Sequence, residues 1–288
     1  MSMMTENIKQ EHNKILLETL TFALDFFNRH NLHYVACGGT VLGAVRHKGL
    51  IPWDDDIDLY MPRKDYERLL KLNDELNKEG YEVVSINNDG YYLPFAKISN
   101  KRTTIWEVKE LPFIFGVYVD IFPLDSFDLE DKEITRIQDK SQALFVKYRK
   151  TLMAYSVKDL IEAIFSLSRK SLTIISCYLG KPFKTKRYEK FTDYIAPYKN
   201  GIGEKCVCMT QWKGKIFKRE WFEDTIEVPF ETISIVIPRD YDAYLKLLYG
   251  DYMTPPPIEE RQSHHLRYYI NLEERKTIQE IKNLKKLP

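Results

Sequence analysis

The sequence predicts an α+β fold, and three observations carry that prediction. Short apolar runs bounded by turn residues crowd residues 32–122, a helical pattern fills 131–198, and strand-like runs return from 205 onward. Strands interspersed with helices, then a helical stretch, then a return to strands are read as the α+β class. At 288 residues the chain suits one large domain, or a catalytic domain with an added subdomain. The expected parts are a core over 1–128, a helical insertion over 129–200, and a C-terminal part over 201–288 that completes the core.

Taken in order, residues 6–30 predict an amphipathic helix, because Ile8, Ile15, Leu16, Thr19, Leu20, Ala23, Phe26 and Phe27 recur at helical spacing. A strand over 32–36 ends at Gly38-Gly39, and Thr40 is expected to cap a short helix through 48. Pro52 forces Ile51 to be extended. A strand over 57–61 and a helix over 63–79 follow, with Gly80 closing the helix. Further strands are expected at 81–86, 91–99, 103–108 and 113–122, the first two separated by the turn Asn87-Asn88-Asp89-Gly90. Helices at 131–153, 158–179 and 186–198 make up the insertion. Strands at 205–210, 225–228 and 233–237 come next, then a helix from Pro238 to Tyr249 and a basic helical tail from Glu273.

Composition excludes several classes. Net charge is +1, so the large basic excess of a nucleic-acid binder is missing and no nucleic-acid partner is expected. Four cysteines, Cys37, Cys177, Cys206 and Cys208, are too few for a disulfide framework, and Cys206 and Cys208 lack a second pair to make a zinc site. They read as reduced thiols of a cytoplasmic protein. Residues 1–10 are polar, without the apolar stretch of a signal peptide, and no run is apolar enough to cross a membrane.

The chemistry concentrates in residues 37–59, which hold glycines, cations and four carboxylates. Clustered carboxylates repel unless a cation sits between them, and a divalent metal facing a phosphate is the usual cation. On a strand, alternate residues share a face, so Asp54, Asp56 and Asp58 point one way and Asp55 the other. Asp120, a lone charge in the apolar run Val117–Phe122, is the candidate to complete the site. A solvated strand end is the plainer reading of Asp120. Gly38-Gly39-Thr40, between strand and helix, would offer backbone amides to a phosphate. Arg46, Lys48 and Lys97 are candidate phosphate cations, and His47 reads as a neighbour of the phosphate. His264 and His265, with Arg261 and Arg267, are candidates for the mouth of the site.

These residues carry a family resemblance. Gly38-Gly39-Thr40-Val41-Leu42-Gly43-Ala44-Val45-Arg46-His47-Lys48-Gly49, then Ile51-Pro52-Trp53-Asp54-Asp55-Asp56-Ile57-Asp58, resembles the signature of the LicD family of phosphocholine transferases, which are related to fukutin-type phosphotransferases. The likeness continues at Met61–Glu67, Val119–Asp125 and Tyr249–Met253. It implies a nucleotidyltransferase-like mixed β-sheet core with flanking helices. It implies catalytic acids at Asp56, Asp58 and Asp120, a metal site of these three with Asp54, and Mg2+ or Mn2+ as cofactor. The implied reaction moves phosphocholine from CDP-choline to a sugar hydroxyl of a teichoic acid, lipopolysaccharide or capsule precursor, releasing CMP. Another CDP-alcohol donor, a nucleotidyltransferase of small molecules, and a non-catalytic scaffold are the alternatives. A choline-binding aromatic box would draw on Trp53, Trp106, Tyr91, Tyr92 or Tyr118. Acceptors of this kind are lipid-linked, which places the enzyme in the cytoplasm with peripheral contact at the membrane's inner face. The apolar run 168–179, followed by Lys181, Lys184, Lys186 and Arg187, could lie on that surface, or pack as an ordinary helix with a solvated basic end.

Overall fold

A computed structural model describes residues 6–166, 168–210, 213–262 and 267–284. Elements in chain order begin with α1 (Glu6–Arg29), β1 (Val35–Ala36), α2 (Gly38–Arg46), β2 (Asp58–Pro62), α3 (Arg63–Lys71), α4 (Asn73–Lys78) and β3 (Tyr81–Val84). Then come β4 (Ala96–Asn100), β5 (Thr104–Trp106) and β6 (Tyr118–Phe127). The helical stretch comprises α5 (Asp131–Leu152), α6 (Val157–Phe165), α7 (Arg169–Gly180) and α8 (Lys184–Ile195). It leads into β7 (Lys205–Val207), β8 (Phe217–Lys218), α9 (Glu220–Glu223), β9 (Thr225–Phe230), β10 (Ile233–Pro238), α10 (Tyr241–Tyr249), β11 (Tyr269–Asn271) and α11 (Ile278–Leu284). The fold is α+β.

The central sheet runs β1-β2-β6-β4-β3, with β7 and β8 continuing from the far end of β6. β2 pairs parallel with β6, and β4 pairs antiparallel with β6 on the other side. The sheet is therefore mixed. Its core takes in Leu16, Leu20, Ala23, Phe26 and Phe27 of α1, all fully buried. Apolar side chains recurring at three- and four-residue spacing are what put that stripe on one side of α1. A second cluster gathers Ile134, Leu144, Phe145 and Tyr148 of α5 with Phe191 and Ile195 of α8 around Phe127 and Val207. The helical stretch thus packs on the end of β6 rather than on itself alone.

Several elements depart from the sequence expectation. The expected helix 63–79 is two helices that meet at Leu72, and the expected helix 158–179 is broken between Phe165 and Arg169. Ser156 and Ser168 cap the halves of that second pair. Thr40 lies inside α2, and Cys37 precedes it. Asp240, not Pro238, caps α10; Pro238 ends β10. The strand expected at 113–122 starts later and continues through Pro123. Gly116 crowds the Asn100 carbonyl, where an added Cβ would lie 1.8 Å away, so Phe115 bridges Ile105 before the chain joins β4. The Asp120 amide donates to the Ile57 carbonyl, so by alternation the nitrogen of Pro123 faces away from β2. The β4 ladder has ended by then, at Ala96 opposite Ile121. Proline there forfeits no ladder bond.

At the end of β2, Arg63 makes a two-pronged ion pair with the fully buried Asp125 of β6: Nε to Oδ1 and Nη2 to Oδ2, both 2.7 Å. Arg63→Met would strand that carboxylate. Its expected effect is a loss of about 3–5 kcal/mol in unfolding free energy by urea titration.

Candidate active site

The sheet register builds the site. Asp58 of β2 lies directly opposite Asp120 of β6, and Asp120 lies directly opposite Lys97 of β4. Residues opposite one another on neighbouring strands project to the same face, so two carboxylates and an ammonium line up across three strands. Asp56, in the loop just before β2, joins them. Asp56, Asp58 and Asp120 each offer a carboxylate oxygen, all within 4.8 Å of one another.

Hydrogen bonds to the backbone fix Asp58. Its amide donates to Thr40 Oγ1 (2.8 Å), and its carbonyl accepts from the Cys37 amide (3.0 Å). α2 is thereby tied to the carboxylate's own residue. Thr40→Val would leave the Asp58 amide without its acceptor. A loss of about 1–2 kcal/mol in urea unfolding is expected, and an unchanged midpoint would remove this bond from the account.

Asp54 stands apart from this trio. The strand begins only at Asp58, so the shared-face alignment expected for Asp54, Asp56 and Asp58 has no strand to rest on. Asp54 instead groups with Asp55 and Asp56. Its carboxylate lies against Gly39, where an added Cβ would come within 3.0 Å of Oδ2. That close approach gives Gly39 a reason to be glycine. Asp55, also in that group, is buried and ion-paired with Arg267, whose Nη2 also lies 3.3 Å from His12 Nε2. The acidic loop is clamped to a residue 212 positions away.

The helix start is partly spent on the protein itself. Gly38, at φ +52°, donates its amide to the Tyr244 hydroxyl (2.9 Å), and Thr40 donates back to the Cys37 carbonyl (3.0 Å). The amide cradle expected of Gly38-Gly39-Thr40 therefore reduces to Gly39. A small pocket opens here, lined by Gly39, Thr40, Asp54 and Asp56 among others.

Lys97, which the sequence suggested as a candidate phosphate cation, lies buried against the acid cluster. It is buried, with Nζ 2.7 Å from Asp120 Oδ1, 3.8 Å from Glu107 Oε1 and 3.3 Å from the centre of the Tyr118 ring. It is the internal counter-ion of the acid cluster. Glu107 escaped the sequence reading. It accepts from the hydroxyls of Tyr92 (2.7 Å) and Tyr118 (2.8 Å). The signal was present, since Glu107 is a lone acid in the apolar run 103–108, as Asp120 is in its own.

Four of the five aromatic candidates, Tyr91, Tyr92, Trp106 and Tyr118, are buried core. Trp53 is half-buried and lies under two guanidinium groups, with the Cζ of Arg46 5.8 Å and that of Arg261 5.0 Å from its ring centre. Arg46 Nη1 donates to the Tyr252 carbonyl (2.7 Å) and Arg261 Nε to that of Pro256 (2.8 Å). Burial, then the like charge of Arg261, lowers the Arg46 pKa, and burial with both arginines lowers that of His47. This cationic corner suits an anion. Lys48 is exposed. His264 and His265 lie outside the described residues.

Withdrawal from water, and then repulsion by Asp56, Asp120 and Asp54, pushes the Asp58 carboxyl well above the usual range, against the pull of Lys97. Three mutually repelling carboxylates, with hard oxygen donors only, fit a small divalent cation such as Mg2+ or Mn2+.

Residues 31–159 match the family model described as LicD/FKTN/FKRP, nucleotidyltransferase domain. Over 271 residues, 90% of this chain and 96% of its relative, the sequence is 28% identical to the lipopolysaccharide cholinephosphotransferase LicD of Haemophilus influenzae. Shorter matches, each over 59 residues and 20% of this chain, link it to uncharacterized proteins of Rickettsia prowazekii (37% identical, 22% of the relative) and Rickettsia typhi (34%, 19%). The matched stretch contains α2, the acidic loop, β2 and β6, so Asp56, Asp58 and Asp120 all lie in the part of the chain that is similar to the LicD domain.

Proposed function

We propose that this chain is a transferase of substituted phosphate groups, which moves phosphocholine from CDP-choline to a sugar hydroxyl of a cell-surface glycan precursor and releases CMP. The observation that carries the reading is the convergence of Asp56, Asp58 and Asp120, in a chain similar along nearly its full length to a lipopolysaccharide cholinephosphotransferase. Asp56, Asp58 and Asp120 would hold Mg2+, with Asp54 beside them. When bound, the ion would neutralise charge on the donor's diphosphate and on the departing CMP. Asp120 would complete this site or take the proton of the attacking hydroxyl. Gly39 would donate its amide to a phosphate oxygen, and Arg46, Arg261 and Lys48 would hold the remaining negative charge. The fully buried Lys97 orients Asp120 from behind.

A second reading has one observation in its favour. Among the described residues, the only partly exposed aromatic of the five candidates is Trp53, and two guanidinium groups already flank it. A quaternary ammonium would be repelled there, whereas the polyol of CDP-glycerol or CDP-ribitol would not.

A donor panel decides. CDP-choline, CDP-ethanolamine, CDP-glycerol and CDP-ribitol are each supplied with Mg2+ and a lipopolysaccharide or teichoic acid acceptor, and the products are resolved. Fastest CMP release from CDP-choline is expected. Faster turnover of a polyol donor would establish the second reading. Release of phosphocholine in place of CMP would mean nucleotidyl transfer, and no release from any donor would mean a scaffold.

A further inference from the structure

No helix among the described residues is long and apolar enough to cross a membrane. The pair α6–α7 nevertheless turns apolar side chains outward. In α6, Val157, Ile161, Ile164 and Phe165 recur at helical spacing, so they form one stripe, and all four are exposed, Phe165 to 86%. Only Ala163 of this helix is fully buried. In α7, Ser171, Ile174, Cys177 and Gly180 face inward, leaving Leu172 (63% exposed) and Leu179 (70%) on the outside. Phe183 follows at 52%. An apolar stripe of this kind normally faces the core. Here two adjacent helices each show one to the outside, and scattered surface residues do not account for that.

Charge says what covers it. Residues 157–190 hold eight Lys and Arg against three Asp and Glu, although the whole chain carries only +1. Of the three acids, Asp159 caps α6 through Ser156 and Glu162 lies 3.8 Å from Lys158. Lys184 pairs with Asp89. Arg169, Lys181, Lys186 and Arg187 make no salt bridge among the described residues, and Arg187 spends one donor on the Lys147 carbonyl. Burying the face against a second copy would set this positive charge against itself. An anionic bilayer satisfies both features, because the stripe enters the acyl boundary while the cations meet headgroup phosphates.

We propose that the α6–α7 pair is a peripheral docking surface for an anionic lipid bilayer. The surface is tied to the loop that carries Glu107: the Ala154 amide, just before α6, donates to the Glu110 carbonyl (2.6 Å). Docking stands on this geometry alone and does not depend on the transferase reading.

The test is flotation of the full chain with vesicles of phosphatidylcholine alone, or with about one-quarter phosphatidylglycerol. The chain is expected to float with the anionic vesicles, to be released by high salt, and to stay down with phosphatidylcholine alone. Phe165→Glu and Leu172→Glu change exposed side chains, so circular dichroism and melting should match the parent while bound protein falls about tenfold. Lys181→Glu with Lys186→Glu should remove most of the salt-sensitive part. Absence of flotation, or unchanged flotation of Phe165→Glu, would overturn the proposal. So would a concentration-dependent dimer in sedimentation that Phe165→Glu splits, because the face would then belong to a second copy.

Discussion

Asp58→Asn is expected to lower transfer by roughly a thousandfold or more while making the metal-free protein more stable. The two effects have one cause. Asp58 sits against Asp56 and Asp120, and its pKa is raised by withdrawal from water and by their charge. A carboxyl whose folded pKa lies above its unfolded one costs stability when ionised. That cost is absent at low pH and sets in as pH rises past the unfolded value. A neutral amide does not carry it, so the variant should melt above the parent at neutral pH without metal. Added Mg2+ should raise the melting temperature of the parent and leave the variant nearly unmoved, because an ion stabilises only the state that binds it. Full activity in Asp58→Asn, or in Asp56→Asn, would remove the metal assignment.

Lys97→Met should act in the opposite direction. Its ammonium is buried between Asp120 and Glu107 and under the ring of Tyr118. Removing one partner of a buried pair leaves an uncompensated charge, for which a loss of about 3–5 kcal/mol is the expected size. Adding Asp120→Asn should restore much of that loss, since the stranded carboxylate goes with it. Urea titration of the two single variants and the double variant measures the coupling. If Lys97→Met unfolds within about 0.5 kcal/mol of the parent, Lys97 is not the counter-ion described here.

Local pattern made some of this legible. The spacing of α1 and the lone acid in β6 are features of neighbouring residues, and both lie where that pattern suggested. Other parts depend on partners far away in sequence. Gly38 spends its amide on Tyr244, 206 residues away, so the helix start offers fewer free donors than its Gly-Gly implies. Lys97 reads as a candidate phosphate cation until β4 is paired with β6 and sets it opposite Asp120. The alternation used for Asp54, Asp56 and Asp58 assumed four more residues of strand than β2 has. Asp56 reaches the site from a loop whose course is held by the Asp55–Arg267 pair, and no periodicity encodes that. The breaks at Leu72 and Gly116 come from the same source, packing against other elements overriding a continuous local pattern.

The central claim is that Asp56, Asp58 and Asp120 form one divalent-cation site. Mn2+ titration followed by electron paramagnetic resonance measures this directly, because bound ion leaves the free-ion signal. Stoichiometric binding by the parent, displaced by excess Mg2+ and lost in both Asp58→Asn and Asp120→Asn, is the predicted result. Equal Mn2+ binding by the parent and both variants would contradict it.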